Sequence, residues 1–200
     1  TVGMPLEGTE VAFADDGEIL VRGPGIFQGY LKDEEATAAV FSDEGFFKTG
    51  DLGVMEQGFV RIVGRKKEII VTAGGKNIAP IPIEHTVTGG LIGRVILVGD
   101  DRPYLTAIFT PNVELLTTRA EAEEWGGTLQ EWCERTDVLS EMEEQVLAAN
   151  EKLARFETIK KWILVPDEMD EEGGLITPTM KPKRDVIYQK YRAEIERMYS

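Results

Sequence analysis

One cysteine and one histidine occur in 200 residues, Cys133 and His85. A lone cysteine excludes an intrachain disulfide and any multi-cysteine metal site. A lone histidine excludes a His-rich zinc centre, and no metal ligands are expected. No apolar run approaches the roughly 20 residues that span a bilayer. The opening stretch, TVGMPLEGTEV, has neither the basic region nor the apolar core of a secretory signal. Positive charge is scarce too: 22 Lys and Arg stand against 36 Asp and Glu, a formal net charge of -14. Such a surface repels phosphate backbones and anionic headgroups, which disfavours nucleic acid and membrane surfaces as partners but leaves room for a local basic pocket. Together these shortages point to a reducing, cytoplasmic setting. The start without an initiator Met leads us to expect a piece of a longer protein.

What is present suits packed cores: 42% of residues are hydrophobic and 29% charged. The first third reads as short strands around Thr9–Ala14, Glu18–Arg22, Lys48–Met55 and Phe59–Val63, separated by turn signals such as Asp15-Asp16-Gly17 and Glu56-Gln57-Gly58. Between them, Asp33–Phe41 has an acidic start and an alanine-rich body, the pattern of a short helix. After Gly64 the character changes. A basic cluster, Arg65-Lys66-Lys67, precedes an apolar strand at Ile69–Val71, the loop Ala73–Asn77, a short helix at Pro82–Thr88 and strands at Arg94–Val98 and Leu105–Phe109. From Asn112 to Phe156 apolar residues recur three or four apart, the helical spacing. A strand at Lys160–Val165, an acidic loop at Asp167–Glu172 and a last helix over Arg184–Met198 complete the chain. The expected fold class is α+β: a small β-rich, barrel-like subdomain over 1–65, then an α+β lid domain over 66–200.

Three segments hold candidate chemistry. In Glu44–Gly53 (EGFFKTGDLG), Gly50 lets the backbone turn tightly before Asp51. An ionised carboxylate only accepts hydrogen bonds, so it suits a vicinal diol; a turn-capping aspartate has the same local pattern. In Gly64–Pro80 (GRKKEIIVTAGGKNIAP), Arg65 offers a forked donor, and Gly74 and Gly75 permit close approach of a thin ligand. The same segment also reads as a plain hairpin with a solvated basic face. No Walker-type phosphate loop occurs, since Gly75-Lys76 is followed by Asn77. In Leu175–Arg184 (LITPTMKPKR), three cations sit on a loop stiffened by Pro178 and Pro182. Lysines at a helix start oppose the helix dipole, so a role in stabilising developing negative charge competes there with a merely solvated loop. Cys133 is expected to be packed, and His85 to be a surface or interdomain residue and not a base.

Taken together and in order, TVGMPLEGTEV, GEILVRGPGIFQGYL, GFFKTGDLG, GRKKEIIVTAGGKNIAP and TPTMKPKR resemble the adenylate-forming superfamily of acyl-CoA synthetases, luciferases and peptide-synthetase adenylation domains. The GGKNIAP variant and the long helical stretch are most similar to the long-chain fatty acyl branch. The resemblance implies that Asp51 holds the ribose hydroxyls of ATP and acyl-adenylate, with Arg65 beside them. It implies a hinge at Lys67, a catalytic lysine at Lys181 for carboxylate attack on the α-phosphate, and a pantetheine path along Gly74 and Gly75. Two departures stand out: Val71 occupies a position where many relatives carry Lys, and Met180-Lys181-Pro182 replaces the commoner Gly-Lys.

The implied substrates are ATP with Mg2+, a fatty acid and coenzyme A. The phosphate loop, adenine segment and acid tunnel of such enzymes would belong to a missing N-terminal domain, so the chain by itself is expected to be inert. Three readings stay open: the C-terminal part of a long-chain acyl-CoA ligase, of a fatty acyl-AMP ligase that loads a carrier protein, or a non-catalytic interaction module.

Overall fold

The computed structural model describes residues 1–167, 169 and 173–200. The acidic loop expected at Asp167–Glu172 lies largely outside the described residues. The chain divides into two compact units, Thr1–Ile69 and Ile70–Ser200.

The first unit is an antiparallel meander of β1 (Glu10–Phe13), β2 (Glu18–Arg22), β3 (Phe47–Glu56) and β4 (Phe59–Arg65), each strand paired with the next. Gln57 and Gly58 join β3 to β4, with φ of 53° and 84°. Two left-handed residues in a two-residue turn match the natural twist of a hairpin. Before β1, the chain runs along β4: Val2 N–H donates to Val60 O and Val60 N–H to Gly3 O, both at 2.8 Å. Gly3 therefore lies beside β4, whereas Glu10 begins the strand at the opposite edge of the sheet. The segment between them crosses from one edge of the meander to the other. Helix α1 (Glu34–Val40) starts at Asp33, whose side chain accepts from Ala36 N–H at 2.9 Å, with Glu34 and Glu35 in the first turn. A capping carboxylate and acidic residues at a helix N-terminus both satisfy its free amides.

The chain stays with this unit four residues beyond the boundary expected at Arg65. Lys66–Glu68 forms a 3-10 turn, and Lys66 Nζ pairs with Asp16 at 2.5 Å and Glu18 at 2.8 Å. Those two ion pairs tie the basic cluster back to β2 and the turn before it.

The second unit opens with a hairpin of β5 (Ile70–Val71) and β6 (Asn77–Ile78), then α2 (Pro80–Val87), which has proline in its first turn. Its sheet has the order β7 (Ile92–Val98), β8 (Leu105–Pro111), β9 (Ile159–Leu164). β7 and β8 are antiparallel, while β8 and β9 are parallel. A parallel pair needs a crossover, which here consists of α3 (Val113–Ala122), α4 (Leu129–Cys133) and α5 (Thr136–Asn150). After β9 the chain ends in α6 (Arg184–Lys190) and α7 (Arg192–Tyr199).

Alternation along β7 sends Val95 and Leu97 into a core with Val87, Leu116, Val138 and Met142. Ile96 and Val98 enter a second core with Leu175, Ile176, Ile187 and Ile195. The central strand β8 is buried throughout, and full burial of each such aliphatic side chain is worth about 1.5–3 kcal/mol.

Two expectations about helices need correction. The helical spacing over Asn112–Phe156 covers three helices, because Glu124 (φ 55°) and Gly127 (φ 94°) turn the chain. A capping box of Thr128 and Glu131 then starts α4 afresh. Leu115 on α3 and Leu147 on α5 are exposed. The last helix is two, broken at Tyr191 (φ -104°, ψ 24°), whose hydroxyl reaches Asp167 at 2.7 Å.

Candidate functional site

In the first unit, Asp51 and Arg65 are register partners on β3 and β4, and Arg65 Nε lies 2.8 Å from Asp51 Oδ1. The turn before Asp51 is built from several directions. Thr49 Oγ1 donates to Ile19 O at 2.7 Å and accepts from Asp51 N–H at 3.1 Å. Gly50 has φ 71°, the left-handed region that favours glycine. Its N–H donates to Glu18 Oε1 at 2.9 Å. Glu18 is 6% exposed and also accepts from Lys66, so one buried carboxylate fixes both the turn and the start of the 3-10 segment. The Asp51 side chain keeps 23% exposure and lines a hollow of about 230 Å³ on the inner face of the meander, alongside Val11, Val21 and Val60. Arg65 engages one carboxylate oxygen, which leaves acceptor capacity for a further donor. Lys67 is exposed and forms no ion pair among the described residues.

In the second unit, Gly74 and Gly75 occupy the exposed tip between β5 and β6. Gly75 (φ 73°) donates its N–H to Thr72 O at 2.8 Å, and Thr72 Oγ1 accepts from Lys76 N–H at 3.2 Å. A Cβ at Gly75 would meet nothing within 4 Å, and one at Gly74 only Thr72 Oγ1 at 3.9 Å. The turn demands a glycine at 75; the space around both glycines is open.

Lys181 sits on a tight hairpin. Ile176 and Pro182 form a bridge. Thr177 N–H donates to Lys181 O, Met180 N–H to Thr177 O and Lys183 N–H to Leu175 O, each at 2.8 Å. Lys181 N–H donates to Thr177 Oγ1 at 3.1 Å. Met180 adopts φ 63°, uncommon for a residue with a side chain. The Lys181 side chain is exposed and unpaired among the described residues.

Two residues that the sequence reading did not single out, Glu18 and Glu84, organise these segments together with Arg184, the last of the three cations on the candidate loop. Glu84 on α2 is 9% exposed. Its Oε1 accepts from Leu97 N–H at 2.8 Å and from Arg184 Nη1 at 2.7 Å, and its Oε2 from Arg184 Nη2 at 2.8 Å. Burial opposes the charge on Arg184, but the two bonds to Glu84 outweigh it and raise the guanidinium pKa. No motif marks Glu84; its lone carboxylate among Pro80–Val87 apolar residues is the available signal.

Cys133 is buried, and desolvation followed by the nearby Glu134 charge pushes its thiol up to about 11. His85 is exposed. No group of three or more His, Cys, Asp or Glu side chains that could hold a metal ion occurs among the described residues. No helix there is long and apolar enough to cross a membrane. A hollow of about 930 Å³ runs along β9 between α5 and α7 and includes none of the expected site residues.

The fold is that of an adenylation domain's C-terminal region. It superimposes with a TM-score of 0.75 on the adenylation domain of a carboxylic acid reductase from Segniliparus rugosus, in complex with AMP and a co-purified carboxylic acid. That likeness covers 98% of this chain and 32% of that one at 23% identity. The sequence model of the AMP-binding enzyme C-terminal domain matches residues 67–200, and the chain belongs to that family. It is 41% identical, over all of its length, to the long-chain-fatty-acid–CoA ligase FadD15 of Mycobacterium tuberculosis. It is 35% identical, over 95% of its length, to the human long-chain-fatty-acid–CoA ligase 1. The chain spans 34% and 28% of those two relatives.

Proposed function

We propose that the protein containing this chain joins a long-chain fatty acid to coenzyme A at the expense of ATP. The observation that carries the reading is Lys181: an unpaired, exposed cation on a pinned hairpin in a chain of net charge -14. The likeness to long-chain-fatty-acid–CoA ligases supports the substrate class. On this reading residues 1–65 are the last subdomain of the adenylating domain, 66–200 form a mobile lid that turns about Lys67, and the setting is cytoplasmic lipid metabolism.

In the first half-reaction a carboxylate oxygen attacks the α-phosphorus of ATP, the bond to the bridging oxygen breaks, and pyrophosphate leaves. Lys181 donates to the oxygens on which charge accumulates, an electrostatic contribution made in the transition state. Asp51 accepts from the ribose hydroxyls, and Arg65 holds its carboxylate in place. Mg2+ accompanying the nucleotide supplies further neutralisation of phosphate charge. In the second half-reaction the thiol sulfur attacks the acyl carbonyl, AMP departs with the C–O electron pair, and the thiol proton is lost. The open tip at Gly74 and Gly75 suits close passage of a narrow thiol arm. Val71 leaves no lysine for that step on β5. The chain by itself is expected to release no AMP.

Palmitate-dependent ATP–pyrophosphate exchange by the full-length protein tests this, with and without Lys181→Ala. Exchange that falls about 100-fold or more in the variant, while preformed palmitoyl-AMP and CoA still yield thioester, is the expected result. Absence of exchange with palmitate and shorter acids would overturn the reading in favour of an interaction module. Thioester formed on a holo-carrier protein and not on CoA would move the acceptor to a carrier.

A further inference from the structure

We propose that Arg184 and Glu84 are positioning residues for Lys181: their buried fork holds the downstream end of its hairpin, and adenylation depends on it. The inference rests on the ligase reading and deepens it.

The hairpin's backbone bonds set its shape, but its tip does little to hold it in place on the domain. Pro178, Thr179, Met180 and Lys181 are all exposed, so they bury almost no apolar surface. Met180 sits in a left-handed conformation that costs energy for a residue with a Cβ and persists only when surroundings impose it. The two ends impose it differently. Upstream, Leu175 and Ile176 are each 2% exposed in the second core. Downstream, Pro182 and Lys183 lack such burial, and the first deeply held group is Arg184, three residues past Lys181.

Arg184 reaches α2 and the sheet at once. Both its Nη atoms donate to Glu84, and Glu84 Oε1 also accepts the N–H of Leu97 on β7. The pair is almost enclosed, with side-chain exposures of 15% and 12%. A buried, bidentate pair is directional, and a partner removed from it leaves an uncompensated charge. The fork holds the start of α6, whose body is seated by Ile187 in the second core and by Tyr188 Oη donating to Leu97 O, and the hairpin hangs from that start. Arg94 Nη1, donating to Met180 O at 3.3 Å, is the one other side chain that ties the turn to β7 among the described residues.

Lysine in place of arginine keeps the charge but loses the planar fork, which makes Arg184→Lys a gentler probe than removal. In the full-length protein it is expected to lower palmitate-dependent ATP–pyrophosphate exchange about tenfold or more, since a misplacement of about 1 Å can cost roughly 100-fold. Thioester formation from preformed palmitoyl-AMP stays within about twofold, because Lys181 is not used there. Combined with Lys181→Ala, Arg184→Lys has no further effect on exchange; a purely structural defect adds its full factor. Amide hydrogen exchange of the full-length Arg184→Lys protein shows faster exchange at Thr177 and Lys181, whose N–H groups close the hairpin.

Exchange within about twofold of the unaltered protein, equal loss in both half-reactions, or full additivity with Lys181→Ala would each overturn the proposal. If Lys181→Ala abolishes exchange and Arg184→Lys does not, the ligase reading stands and the positioning role fails. A parent without exchange removes both.

Discussion

Asp51 and Arg65 face each other across the β3–β4 ladder, with Nε and Oδ1 at 2.8 Å. Arg65 is half exposed, at 50%, and surface ion pairs of this kind contribute about 0–1 kcal/mol. The pair is thus a weak source of stability and a good device for aiming a carboxylate. Arg65→Ala is expected to shift the urea midpoint of the protein little while raising the KM for ATP. Asp51→Ala removes the acceptor itself, and at about 1.5–3 kcal/mol for a charged hydrogen bond the loss in kcat/KM for ATP is roughly 10- to 150-fold. Steady-state pyrophosphate release measures both; an Asp51→Ala enzyme with unchanged kcat/KM would remove the ribose role.

Glu18 behaves differently because it is buried. Glu18→Ala leaves the Gly50 N–H without its acceptor and Lys66 with Asp16 alone. An orphaned buried group costs about 1–3 kcal/mol, so urea unfolding should show a loss of that size. Glu10→Ala, which breaks an exposed pair with Arg22, serves as the comparison and is expected to change stability by less than about 1 kcal/mol. Equal losses in the two variants would contradict the structural role of Glu18.

Acid should weaken the second unit at Asp167. Burial works against its charge, but hydrogen bonds from Lys190, Tyr191 and the Met169 N–H outweigh it, and its pKa falls below the usual 3.8. A carboxyl whose pKa is lower in the folded than in the unfolded chain stabilises the fold above the unfolded value. That contribution fades as pH drops through the lower, folded value. Thermal unfolding followed across pH 7 to about 2 should show a steeper acid decline for the unaltered protein than for Asp167→Asn. Parallel curves would place the acid sensitivity elsewhere.

Much of the fold was legible because its signals are local. The turn at Gln57-Gly58, the Asp33 cap and the apolar runs of β7 and β8 each depend on neighbours in sequence, and strands and helices fell where those signals lie. The long helical stretch misled because periodicity sums over Leu115 and Leu147 as readily as over Leu116 and Val146, and only packing separates them. Tyr191 breaks the last helix for a partner 24 residues away, a contact no periodicity carries. The candidate site divides in the same way. Asp51, Arg65, Gly74, Gly75 and Lys181 stand in stretches whose order carried a resemblance. Glu18 and Glu84 became visible only once a buried carboxylate could be seen to accept from 32 residues away at Gly50, or 100 away at Arg184.

Among the described residues, β9 ends the sheet with no strand paired on its outer side. Asn150 closes its first position, exchanging hydrogen bonds of 2.9 Å with both backbone groups of Ile159. Beyond it stand Lys160 and Lys161, exposed and without ion-pair partners among the described residues. An open, uncharged edge is a template on which another chain can extend the sheet, and lysines there oppose it. The two lysines thus place positive charge, scarce elsewhere in this strongly acidic chain, where it disfavours the addition of another strand.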